Sequence, residues 1–592
     1  IKIKALEDLI KPGLAEDVFK RLINYYPDST ALKYALSKFY LKYEQKDKAE
    51  KIYRDMIQDN PEELKPKLKF VQFLNLVEGE NAGLKQLEIF SQKNPDNDEF
   101  KFALVQYHLS KKNTALAHEI LKNIINEQVS IKSKIKAKGI MAASLLVEGN
   151  ANEAEKIIKE ILTEDTKNKN ALILQSGIDI DRQNYDNAIS TLRLVLRDTP
   201  DSSRALFLLA KAYNLSGSLE LADKQYFDAF KTSNFSEAYG LSYAKFLLKR
   251  NRPRRAEKII QNIISVSPGS LPALKMLAQI RLSFGDWVGA QQVADDIKHL
   301  GNKGDLAVQI SNAVMIGKKD YTESISLLKE TYKSTPGNIK PVIDLVRTYL
   351  LAGKNQEAES FVDAVISASP NNNSARILRG KIYLYKGDVQ QATHTYENVI
   401  ERDSTNVAGY YNLANIYLRS KNYSEAGKVL NIGLYNVPGS FPLRMTKAGL
   451  YENTGKIDEA IKLYEDILIE RPDSDIVANN LASLLNDRED KKSLNRAYIL
   501  SQRFKQSNIP QFKDTFGWAS YRVGKYSDAS LLLKSAIKQL PGIPVFHYHL
   551  GMTYMAMNNK TMAREELEKA LSLAGNKPFA GAHHARIALG KL

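Results

Sequence analysis

Small and large apolar residues alternate along this chain with a spacing close to 34 residues, and the pattern predicts pairs of short amphipathic helices. One station is small throughout: Ala15, Ala49, Gly83, Ala117, Ala154, Ala188, Ala222, Ala256, Ala290, Ser324, Ala358, Ala392, Ala426, Ala460, Ala497, Ala529 and Ala563. Four residues later a large side chain follows, as at Phe19, Tyr53, Tyr226, Tyr396 and Tyr464. A second small residue lies twelve positions before the first, as at Ala210, Ala244, Ala278, Gly380, Ala414, Ala448, Gly517 and Gly551. Tyrosine often follows it by three, as at Tyr213, Tyr349, Tyr383, Tyr417 and Tyr451.

Small residues at both stations let two helix backbones approach closely, and the large residue fills the space beside the contact. Between the two helices stands a residue suited to positive φ: Gly149, Gly217, Gly285, Gly353, Gly387, Gly455 and Gly524, with Asn251 and Asn558 in equivalent places. A proline twelve residues after the first small station ends the second helix, commonly followed by Asp, Gly or Asn, as in Pro200-Asp201, Pro268-Gly269 and Pro370-Asn371. Each unit is therefore an interlocking antiparallel helix pair.

With small residues at positions 8 and 20, tyrosine at 11 and proline at 32, these units resemble tetratricopeptide repeats over almost the whole chain. The resemblance implies an all-α fold: a right-handed superhelical solenoid of about sixteen helix pairs, opened by a half-repeat centred on Ala15. We expect one continuous array over residues 1–575 and a C-terminal capping helix over 576–592. Irregular spacing marks candidate hinges near 126–133, 301–304 and 486–493.

Composition narrows the chemistry. The absence of cysteine excludes disulfides, thiol nucleophiles and thiolate metal sites. The eight histidines fall in no recognisable catalytic motif; His547 and His549 point to different faces of one predicted helix, and His583 and His584 are adjacent. Glu565, Glu566 and Glu568 read as a solvated helix face, and no phosphate-binding glycine loop is present. We therefore expect no enzyme activity, no cofactor and no metal. No apolar run is long enough to cross a membrane.

Tetratricopeptide proteins place the first helix of each repeat along a concave groove, so the resemblance implies that positions 2, 5, 9, 12 and 13 face a partner. In the middle repeats these are Arg204, Phe207, Lys211, Lys245, Lys249, Lys340, Arg347, Lys381, Tyr385, Tyr411, Asn415 and Arg419. A basic groove interleaved with aromatics suits an acidic or extended ligand, a protein partner first and an anionic polysaccharide second. The net charge of +16 is uneven: residues 101–150 hold 8 basic and 3 acidic side chains, residues 501–592 hold 13 and 5. The densest run, Lys249, Arg250, Arg252, Arg254, Arg255 and Lys258, lies at a turn. Aromatic platforms for stacking bases are not organised around these patches, so nucleic acid is not the expected partner.

A narrower resemblance concerns the closing repeats. Asp514 to Trp518, Tyr521 to Tyr526, Tyr548 to Met552, Ala563 to Leu571 and Ala582 to Leu592 are similar to the ending of the long tetratricopeptide lipoproteins of bacterial exosortase and exopolysaccharide systems. That implies a non-catalytic scaffold for polysaccharide assembly, export or secretion, periplasmic and anchored at the outer membrane, with any lipid-bearing cysteine upstream of Ile1. The alternatives are a cytosolic adaptor or regulatory module for a protein or nucleic-acid partner, and the targeting arm of a glycosyltransferase.

Overall fold

In the computed structural model, the described residues are 12–592 without 128, 302–303, 506, 576, 578 and 580. Among them the chain forms 34 α-helices and one 3-10 turn, Gln502–Phe504, and no strand. The contacts divide into two compact units, residues Ile1–Thr232 and Ser233–Leu592, and that division falls at none of the three irregular spacings. In the first unit, helix Pro12–Tyr25 precedes helix pairs running from Thr30–Lys42 with Lys46–Asp59 to Ser203–Ser216 with Leu219–Thr232. The second runs from Glu237–Lys249 with Pro253–Val266 to Pro544–Ala556 with Lys560–Ala574, and closes on Ala582–Lys591.

Each helix start has a local cause. After the proline turn a Ser or Asn caps the first helix of the next pair: the Ala273 N–H donates to the Ser270 hydroxyl at 3.2 Å, and the Ala375 N–H to the Asn372 amide oxygen at 3.0 Å. The end of the first helix is closed by a left-handed residue and a backbone bond reaching five residues back, as from Ser218 N–H to the Tyr213 carbonyl at 2.8 Å across Gly217 (φ 88°). The expected glycines and asparagines all take positive φ, but so do Glu44, Lys112, Gln183, Lys319 and Lys421. There the same bond forms, for example Asn422 N–H to the Tyr417 carbonyl at 2.8 Å, and offsets the cost of about 1 kcal/mol that a Cβ brings to this region.

The small stations lie at the closest approach of paired helices. Ala210, Ala222, Ala244, Ala256, Ala414 and Ala426 are fully buried, and a Cβ on Gly380 would lie 2.4 Å from the Tyr396 ring. Tyr396 and Tyr464 are buried as expected of the filling residue.

Two of the irregular spacings have a local form among the described residues. Around 126–133 the added residues lengthen a helix: Ile131–Val147 has 17 residues where most first helices have 13 or 14. Residue 128 lies outside the described residues, as do 302 and 303 in the second irregular stretch. In the third, helix Asp475–Asn486 stops and Asp490 caps the next helix, Lys491–Ser501. The capping helix begins at Ala582, where Ala585 and Ala588 pack on Tyr548, Leu567 and Ala570.

Candidate partner-binding face

The first helices of the repeats carry all twelve residues expected to meet a partner. In the first unit, Arg204 is exposed and Phe207 is half-buried, its ring edge-on to Tyr226 at 5.7 Å. Lys211 is paired with the Asp181 carboxylate of the preceding first helix at 3.1 Å, so its charge is partly neutralised before any ligand arrives. In the second unit, Lys245 and Lys249 are exposed on helix Glu237–Lys249.

The remaining seven come together on three successive first helices, Ile339–Leu351, Asn373–Lys386 and Val407–Arg419. Lys340, Arg347, Lys381 and Arg419 are exposed there, and none makes an ion pair among the described residues. Between them stand exposed apolar and aromatic groups. Tyr385 is 60% and Tyr411 is 42% exposed, and sequence reasoning passed over two neighbours at the equivalent positions 5 and 13, Ile343 at 43% and Leu351 at 47%. The Tyr385 hydroxyl donates to the Leu350 carbonyl at 3.3 Å, which ties one first helix to the next. Asn415 donates to the Tyr411 carbonyl one turn back at 2.8 Å and so spends one of its N–H groups inside its own helix. Asp344 is half-buried between Lys340 and Arg347 in sequence; burial raises its pKa above the ordinary carboxylate value, and the two cations partly oppose that. The face is thus a stripe of cations without ion pairs among the described residues, interleaved with wet apolar side chains.

The closing repeats are built differently. The His549 Nδ1–H donates to the Asp514 carboxylate, whose oxygens lie 2.9 and 3.0 Å away, and its ring stacks on Trp518 at 4.1 Å between centroids. The Arg522 guanidinium donates to the Asn486 and Arg488 carbonyls at 2.6 and 2.7 Å, clasping the end of helix Asp475–Asn486. His547 meets the Glu566 carboxylate at 2.6 Å, which raises the imidazole pKa. Glu566 therefore departs from the solvated face expected of it, and both histidines have carboxylate partners contributed by other helices. His547 and Glu566 meet within one helix pair, whereas His549 and Asp514 are brought together by the stacking of one repeat on the next. Among the described residues no group of three acidic or histidine side chains is placed to hold a metal ion.

Residues 145–212, 315–382 and 383–440 match a family described as Tetratricopeptide repeat, and residues 545–577 match a second family of the same description. The chain is 24% identical over 204 residues to a TPR repeat-containing protein of Pseudomonas aeruginosa, covering 34% of each. It is 23% identical over 308 residues to Tetratricopeptide repeat protein 21B of Homo sapiens, covering 50% of this chain and 22% of that one. A TPR repeat-containing protein of Methanocaldococcus jannaschii is 21% identical over 439 residues, 64% of this chain and 71% of its own length. The chain thus spans about a third of the bacterial relative and under a quarter of the human one. Among solved structures, it is similar to the APC/C hetero-tetramer Cut9-Hcn1 (TM-score 0.35, 11% identity, 84% of this chain and 96% of that one) and to yeast Tom70 (TM-score 0.32, 17% identity, 72% and 96%).

Proposed function

Since this chain is a tetratricopeptide-repeat protein, we propose that it is a non-catalytic scaffold that holds an extended acidic segment of a partner protein along helices Ile339–Leu351, Asn373–Lys386 and Val407–Arg419. Tetratricopeptide-repeat proteins generally mediate protein–protein interaction. The observation that carries this reading is the alternation of unpaired Lys340, Arg347, Lys381 and Arg419 with exposed Ile343, Leu351, Tyr385 and Tyr411. Exposed rings and aliphatic chains supply desolvation energy, and unpaired cations select an acidic sequence and speed its encounter.

The same proposal places the protein in the bacterial cell envelope, at the outer membrane, serving polysaccharide assembly or export, or secretion. Support comes from the similarity of the closing repeats, Asp514 to Leu592, to the lipoproteins of those systems. Fractionation of the native host tests the location; recovery in the cytoplasm would turn the reading to a cytosolic adaptor.

For the face itself, a photo-crosslinking residue at Tyr385 captures the partner in host cells, with Tyr435, 86% exposed on a second helix, as the control position. The captured segment is then titrated against the wild type and Arg347→Glu/Lys381→Glu/Tyr385→Ala at two ionic strengths. The reading requires a loss of at least tenfold in the variant and weaker wild-type binding at high salt. Equal affinity in both proteins would move the site off this face. An anionic polysaccharide in place of the segment tests the second class of ligand.

A further inference from the structure

Within a repeat, the residue at the fourth position, on the first helix, meets the thirtieth, at the end of the second helix, and in four repeats this is a cation meeting a carboxylate. Lys33 pairs with Asp59 at 3.7 Å, Lys101 with Glu127 at 2.5 Å, Lys138 with Glu164 at 2.8 Å and Arg444 with Glu470 at 2.6 Å. The last three pairs are each separated by 26 residues.

The repeat of helices Asn373–Lys386 and Val389–Arg402 departs from these four, as does the repeat that holds Lys67 and Lys93. In the former the fourth position is Arg376, and 26 residues on, where those four have an acid, stands Arg402. Arg376 is only 9% exposed, makes no hydrogen bond or ion pair among the described residues, and its Nη1 is fully buried without an acceptor. Burial and, next, the like charges of Arg402 and Arg379 push its pKa below the ordinary guanidinium value. Arg379 is matched by Asp363 at 3.2 Å and by the Tyr383 hydroxyl at 3.1 Å. Among the described residues Arg402 donates only to the neutral amide oxygen of Asn398, at 2.9 Å. Of these three guanidiniums only that of Arg379 has a carboxylate partner among the described residues; Arg376 and Arg402 have none, and Arg376 is buried, where an unmatched charge is most costly.

We propose that Arg376, Arg402 and Arg379 form an anion site for a phosphate-type dianion, either free phosphate or the phosphoryl group of a monoester. Two uncompensated guanidinium forks match the charge and the paired oxygens of such a group, whereas a single carboxylate, as in the four sister repeats, would leave one of them unmatched. The site lies at the junction of the fourth and thirtieth positions, not on the partner face proposed above, so either proposal can fail alone.

The test uses the full chain, with thermal unfolding and calorimetric titration against inorganic phosphate and against O-phosphoserine, in sodium chloride of matched ionic strength. Arg402→Glu recreates the Arg444–Glu470 pairing in this repeat and serves as the key variant. The expected result is that phosphate raises the wild-type Tm above the chloride control, while Arg402→Glu has a higher Tm without phosphate and binds it at least tenfold more weakly. Arg376→Gln should also lose the phosphate response. A response to phosphate alone assigns the site to the free ion, and an equal or stronger response to O-phosphoserine assigns it to a monoester. A wild-type Tm that follows ionic strength alone, or an Arg402→Glu protein that still responds to phosphate, overturns the proposal.

Discussion

The Ser324 hydroxyl donates to the Asn312 amide oxygen at 2.5 Å, at the helix contact where sister repeats place two small apolar residues such as Ala210 and Ala222. Asn312 is 6% exposed and Ser324 is fully buried, and the hydroxyl also reaches the Thr348 hydroxyl of the next repeat at 3.3 Å. Ser324→Ala should cost about 1–3 kcal/mol, because it strands a buried acceptor rather than merely removing a bond. Asn312→Ala/Ser324→Ala restores the apolar pairing of the sister repeats and should recover part of the loss. Urea unfolding of the two variants checks the order; a double variant weaker than the single one would count against it.

Gly380 and Tyr396 define a second contact. A methyl group at Gly380 would lie 2.4 Å from the ring, and the ring, fully buried, has nowhere to turn. The gain of about 1 kcal/mol from alanine's better helix propensity is outweighed by an overpacking cost of about 1–3 kcal/mol. Gly380→Ala should therefore lower the Tm, and adding Tyr396→Leu should restore it in part. An unchanged Tm in the single variant would mean that the helix pair is loose.

Ala414 has no exposed surface and packs beside Ala426 and Leu430. Ala414→Arg places a long cation in that contact, at a cost of about 3 kcal/mol or more. Because a repeat touches mainly its neighbours, hydrogen exchange should quicken around residues 373–453 and stay near wild type around Ala49. Uniform loss of protection along the chain would contradict this local behaviour.

The His547–Glu566 pair predicts a pH dependence. The imidazole, 5% exposed, has a pKa raised above the ordinary 6.5 by the Glu566 hydrogen bond. Its contribution is fully present below pH 6.5 and is lost as pH rises through the folded-state value. Denaturant titrations from pH 6 upward should show stability falling more in the wild type than in His547→Gln. Parallel profiles would show that the pair titrates alike in the folded and unfolded chain.

The sequence alone determined the repeating helix pair. Ala210 and Ala222 disclose the close contact, Tyr396 and Tyr464 the filling of it, and Gly217 and Gly387 the turn, because each acts on neighbours a few residues away or on the partner helix a fixed distance along. The left-handed turns at Glu44 and Lys421 were not legible, since the backbone bond closing the helix, not the side chain, holds them there. Placement of Tyr385 and Tyr411 on first helices followed from the repeat register.

Which of the exposed cations remain unpaired was decided only by tertiary structure. Lys211 and Lys381 hold the same register position, yet Asp181 from the preceding repeat partly neutralises the first, and no carboxylate among the described residues pairs with the second. The same holds for His549 with Asp514, 35 residues apart, and for Arg376, whose buried Nη1 finds no acceptor among the described residues. Helix periodicity is a property of near neighbours and is written locally. Charge compensation depends on which side chains the stacking brings within a few ångströms, and that requires the packed repeats.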